Sequence, residues 1–180
     1  KVGDGEVTVK DTTVKGDIIV RGGGDDSIYL ENVTAEGIIS IEKKDVRVQL
    51  QGSTTVSDIE VKEECTLSSI NFTGSVDAII ISEALDENSD VTIKVPADKV
   101  IVDVKANIKI QKDVDTIEIS ENAKEAQIEV YNGITVDKIV ADAKIDITGS
   151  GTVKELEANA DGIKIDTKVD VDEIIVADGV

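Results

Sequence analysis

One short pattern, Val-x-x-Ile-x-Val, recurs along the chain and leaves few folds open to it. Clear copies are Val56-Ser-Asp-Ile59-Glu-Val61, Val76-Asp-Ala-Ile79-Ile-Ile81 and Val114-Asp-Thr-Ile117-Glu-Ile119. Val136-Asp-Lys-Ile139-Val-Ala141, Val153-Lys-Glu-Leu156-Glu-Ala158 and Val171-Asp-Glu-Ile174-Ile-Val176 continue it. In the same register Ile18/Val20, Ile39/Ile41 and Val102/Val104 fill the remaining slots. With the middle apolar position as marker, copies fall at 18, 39, 59, 79, 102, 117, 139, 156 and 174. The mean interval is (174 − 18)/8, or 19.5 residues. A second alternating segment lies between markers, as in Ile28-Tyr-Leu30, Val46-Arg-Val48-Gln-Leu50, Val91-Thr-Ile93-Lys-Val95 and Ile128-Glu-Val130. Each repeat therefore reads as two strand segments of period two, apolar on one face and polar on the other.

Turn formers punctuate these segments, among them Arg21-Gly-Gly-Gly-Asp-Asp-Ser27, Tyr131-Asn-Gly133 and Gly149-Ser-Gly151. No stretch carries a helical apolar stripe. The best helical candidate, Ser82-Glu-Ala-Leu-Asp-Glu-Asn88, falls in the longest interval, where a turn would serve as well. A β-sandwich also spaces short strands closely, but it does not repeat its sequence and relies on large aromatic core residues. Aromatic content here is 2%, and the repeat would stack like residues on like. The expectation is an all-β, right-handed parallel β-helix of about nine coils with about 20 residues per coil, one domain over residues 1–180. Neither end carries an amphipathic helix to cover the exposed strand edges, so loops or neighbouring domains of the same chain are expected to cap them.

Thirty-eight acids against 19 bases give a formal charge of −19. Such a field repels phosphate backbones and anionic lipid, which argues against nucleic-acid and electrostatic membrane partners. No apolar run approaches the about 18 residues that a membrane-spanning helix needs. The single Cys65 permits no internal disulfide and reads as a small residue in a strand or turn. Low Cys, no His and high acid content suit an extracellular bacterial protein.

Three early stretches carry a family character: Asp11-Thr-Thr-Val-Lys-Gly-Asp-Ile-Ile-Val20, Leu30-Glu-Asn-Val-Thr-Ala-Glu-Gly-Ile-Ile-Ser-Ile41 and Leu50-Gln-Gly-Ser-Thr-Thr-Val-Ser-Asp-Ile-Glu-Val61. They resemble the β-helical repeat regions of large Gram-positive surface proteins, which often lie beside S-layer homology or carbohydrate-active modules. The resemblance is strongest over residues 5–81. It implies a segment of a larger cell-surface protein that serves as stalk, adhesin or polysaccharide-contacting module, with cell-wall or extracellular polysaccharide as partner.

Residues for catalysis are scarce. Without histidine, Ser/His and Cys/His nucleophile systems are excluded. Glycoside hydrolysis needs two carboxylates flanking the bond, and so many acids on a closely spaced ladder meet that distance by chance. A lyase of this fold would use an Arg or Lys base, and Arg21 and Arg47 are the only arginines. The reading is non-enzymatic, with no catalytic, cofactor or metal residue assigned.

Three weaker candidates complete the sequence reading. Gly22, Gly24, Asp26 and Ile28 match part of a calcium-binding nonapeptide, but that motif works by stacking copies and the chain has one. The residue two before each marker, Ser57, Asp77, Val100, Asp115, Asp137, Lys154 and Asp172 in turn, would set Asp115 beside Asp137. Two carboxylates about 5 Å apart repel by about 1 kcal/mol in water. Corner N–H groups, a lysine such as Lys138, or a weakly held Ca²⁺ would offset that. Tyr29 and Tyr131 are the only candidate sugar platforms, about five coils or roughly 24 Å apart.

Overall fold

β-Branched side chains are stiff and pack well on a pleated surface, so alternating Ile and Val favour strands whose apolar face must be covered. The computed structural model, which describes residues 5–23 and 28–180, meets that need by winding the chain into coils. Each coil places its apolar residues inward and pairs in parallel with the next. One ladder holds β1 (Val7–Val14), β3 (Ile28–Ala35), β5 (Val46–Gly52), β7 (Cys65–Phe72), β9 (Asp90–Lys94), β11 (Asn107–Ile110), β13 (Ala126–Val130), β15 (Ile145–Gly149) and β17 (Lys164–Ile165). The other holds β2 (Ile18–Val20), β4 (Ile39–Ile41), β6 (Thr55–Val61), β8 (Ser75–Ile81), β10 (Ala97–Val102), β12 (Val114–Ile119), β14 (Thr135–Ala141), β16 (Thr152–Ala158) and β18 (Asp170–Val176). Every observed pairing is parallel, and none of the described residues is helical. Nine rungs and eight steps of about 4.8 Å make a solenoid about 38 Å long.

The register fixes the repeat. Ile18, Ile39, Ile59, Ile79, Val100, Ile117, Ile139, Leu156 and Ile174 form one inward column. Val20, Ile41, Val61, Ile81, Val102, Ile119, Ala141, Ala158 and Val176 form the next. Val100 is thus the fifth marker, where the repeat had suggested Val102. The neighbouring intervals become 21 (100 − 79) and 17 (117 − 100), in place of 23 and 15. In the other ladder Ile28, Val48, Leu67, Ile93, Ile110 and Val130 stack in the same way. All but the end rungs of these columns are buried. At about 1.5–3 kcal/mol for each fully covered aliphatic side chain, this ladder is the main source of stability.

The corners are specified as well as the strands. Asp11 (φ 49°), Asn32 (φ 52°), Gly52 (φ 57°) and Asn71 (φ 48°) place a left-handed residue at one corner of four successive coils. Asn, Asp and Gly tolerate that conformation best. Asn32 Nδ2 donates to Asp11 Oδ1 at 2.8 Å, and Ser53 N donates to Asn32 Oδ1 at 3.1 Å. The stretch Ser82–Asn88 is a pair of turns, not a helix, and it presses Leu85 into the core. Its first turn closes with Leu85 N donating to Ser82 O at 3.0 Å.

Candidate interaction surface

The inward columns hold most of the apolar residues, so a ligand on the flank of the solenoid meets the outward columns, which differ from face to face and include Ile80, Ile101 and Val140 over the second ladder. Over the second ladder, charges are matched between coils. Arg21 meets Glu42 at 2.7 Å, Lys99 meets Glu118 at 2.6 Å, and Lys138 bridges Glu155 and Glu157 at 2.8 and 2.7 Å. The bridging hydrogen bonds hold Lys138 well above the usual ammonium range and Glu157 below the usual carboxylate range. Arg21, a candidate base by sequence, is engaged in its ion pair with Glu42.

The acidic row lies near the start of the strands of this ladder. With Val100 as marker, the residue two before it is Asp98, so Asp77, Asp98, Asp115 and Asp137 occupy successive coils, all exposed. Lys138 does not relieve the row, since it faces Glu155 and Glu157. Lys154 does, at 2.7 Å from Asp137 Oδ1, and its own pKa is raised chiefly by that hydrogen bond. Elsewhere aspartates bind corner N–H groups: Asp113 Oδ1 accepts from Thr135 N at 2.8 Å and Asp17 Oδ1 from Ile38 N at 3.1 Å. Among the described residues no three acidic or thiol groups converge on a metal-sized centre. Gly24 and Asp26 of the glycine-rich loop lie outside the described residues. Cys65 points into the core between Val46 and Val91, and burial pushes its thiol up to about 12.

The first ladder presents a different surface. Its central outward columns read Arg47, Thr66, Thr92 and Lys109, and beside them Gln49, Ser68, Lys94 and Gln111. In a protein with twice as many acids as bases, these eight positions over four coils contain no carboxylate. Lys109 is held by Asp90 at the margin, 2.6 Å away. Tyr29 heads the second column, pairing with Gln49, and Tyr131 follows Gln111 in register at its other end. The Tyr29 hydroxyl donates to Glu6 Oε1 at 3.4 Å, and Tyr131 stands more than one-third exposed. The two tyrosines therefore mark one line along the solenoid axis, a relation the sequence spacing alone had left open. Ser68 is buried with its hydroxyl lacking a hydrogen-bond partner, a donor and acceptor held within the strip.

No family model matches the chain, and no curated protein or solved structure matches it either.

Proposed function

We propose that the chain is a structural and adhesive module, a stiff stalk within a larger extracellular bacterial surface protein, without catalytic activity. The observation that supports this reading is the continuity of the inward columns from Ile18 to Ile174, with like residues stacked through nine rungs. A solenoid in which each coil hydrogen-bonds to its neighbours resists bending, so it holds whatever adjoins it at a distance from the wall. The net charge of −19 keeps such a rod soluble. Two measurements test it. Protease shaving of intact cells that produce the protein should release its peptides, and the purified chain should be retained on no insoluble polysaccharide. Protection of the chain in intact cells would sink the surface assignment.

A second reading, a carbohydrate-binding module, is favoured by the acid-free strip between Tyr29 and Tyr131. Its amides, hydroxyls and lysines offer hydrogen bonds to an extended glycan lying along the axis, with an aromatic ring at each end. Retention on a polysaccharide that is lost in Gln49→Ala and Tyr131→Ala variants would replace the passive stalk with this reading. Retention unchanged by both substitutions would point away from the strip.

A further inference from the structure

Apolar residues that should face inward are uncovered at the two ends of the solenoid. Val7 in the first coil, and Ile174 and Val176 in the last, are inward positions about half exposed, and the outward Ile19 and Ile175 beside them are exposed to a similar degree. The first coil also opens an apolar groove of about 270 Å³ lined by Val7, Val9, Ile18, Ile28 and Leu30. Among the described residues β2 pairs only with β4, and β18 only with β16.

The geometry points to head-to-tail stacking, in which the first coil of one copy of this chain docks on the last coil of another. The two ends belong to the same columns. A copy set one step of about 4.8 Å beyond β18 places Ile18 on Ile174, Ile19 on Ile175 and Val20 on Val176. The parallel edge then continues as a ladder between chains. Val14 to Ile18 spans one residue more than Val171 to Ile174, and the chain already accommodates that step between Ala35–Ile39 and Val56–Ile59. Charge agrees as well. Lys15 follows Val14 as Asp172 follows Val171, so the junction continues the alternation of Asp137, Lys154 and Asp172, in which Lys154 and Asp137 already pair. In this ladder Asp17 lies over Glu173, a like-charged neighbour that repeats the Glu155–Glu173 arrangement within the chain. The interface joins different surfaces, so it does not close and extends into filaments. This inference rests on the end geometry and stands apart from the stalk reading.

Sedimentation velocity of the purified chain tests it. Species in multiples of 19.1 kDa should appear and grow with protein concentration. They should also grow with salt, which screens the repulsion between copies charged −19. Ile18→Lys blocks the head and Ile174→Lys the tail, because a cation held against the opposing column would be buried unpaired. Lysine lowers the net negative charge, so general repulsion cannot account for lost association. Each variant, shown folded by circular dichroism, should be monomeric alone, and a one-to-one mixture should form two-chain species and nothing longer. An unmodified chain that stays monomeric at every concentration and salt would overturn the inference. So would association that survives in either single variant, since a lateral contact or contacts between like ends would then be responsible.

Discussion

Gly52 and Asn32 occupy one corner in consecutive coils, and the Asn32 carboxamide oxygen fills the space that a side chain at Gly52 would need. Gly52 also holds a φ of 57°, which costs an L-residue about 1–2 kcal/mol. Gly52→Ala should therefore strain the corner and push Asn32 off its hydrogen bonds to Asp11 and Ser53. The expected loss is about 2–4 kcal/mol in urea unfolding. Gly133→Ala, at a left-handed position (φ 75°) where an added side chain meets nothing within 4 Å, should lose far less. Equal losses at the two positions would mean that the left-handed corner, and not the collision, sets the cost.

Thr54 lies one step further round that corner, fully buried. Its hydroxyl accepts from Val33 N at 3.1 Å and has the Leu30 and Gln51 carbonyls at 2.9 and 2.7 Å as acceptors for its proton. Thr54→Val keeps the shape but leaves a buried N–H without its acceptor, a loss of about 1–3 kcal/mol. Thr54→Ser should recover most of that in the same unfolding measurement. A valine variant as stable as the parent would show that the hydroxyl is dispensable.

Such corners explain what could and could not be read from the sequence. The strands were legible because period-two alternation and a recurring Val-x-x-Ile-x-Val act together over every coil. The fifth marker was misplaced because Val100, Val102 and Val104 alternate continuously, and a shift of two residues keeps every side chain on its proper face. Only the pairing with Ile79 and Ile117 breaks that degeneracy. The corner residues Asp11, Asn32, Gly52 and Asn71 recur at 21, 20 and 19 residues (32 − 11, 52 − 32 and 71 − 52), so their signal was present in the spacing. It is hard to see because three residue types share one backbone requirement. The acid-free strip was hidden for another reason: its members lie a whole coil apart, and coil length varies.

The marker column also separates interior from end. Ile117 and Ile174 occupy equivalent positions, yet Ile117 is fully buried and Ile174 is half exposed. Ile117→Ala should leave a cavity and cost about 2–5 kcal/mol. Ile174→Ala should cost a small fraction of that in dilute solution, where the last coil is uncovered. Chemical denaturation of both variants at low protein concentration measures the contrast. A similar cost at the two sites would mean that the last coil is covered even in the isolated chain.

Asp90 provides a pH test of the cross-coil hydrogen bonds. Lys109 Nζ lies 2.6 Å from its Oδ2 and Asn107 Nδ2 donates to its Oδ1 at 2.9 Å, with the lysine the larger influence. Together they hold the carboxyl below its ordinary value of 3.8. A folded-state pKa below the unfolded one means that the unfolded chain binds the proton more readily. The contribution to stability is therefore fully present above about pH 4 and fades as pH falls through the lowered folded-state value. Asp90→Asn should lower Tm at pH 7, and the gap to the parent should close progressively between about pH 4 and pH 2. Both proteins lose the self-repulsion of a highly acidic chain over that range, so the difference between their melting curves isolates this one group. A gap that stays constant down to pH 2 would show that the ionised carboxylate is not what Lys109 and Asn107 stabilise.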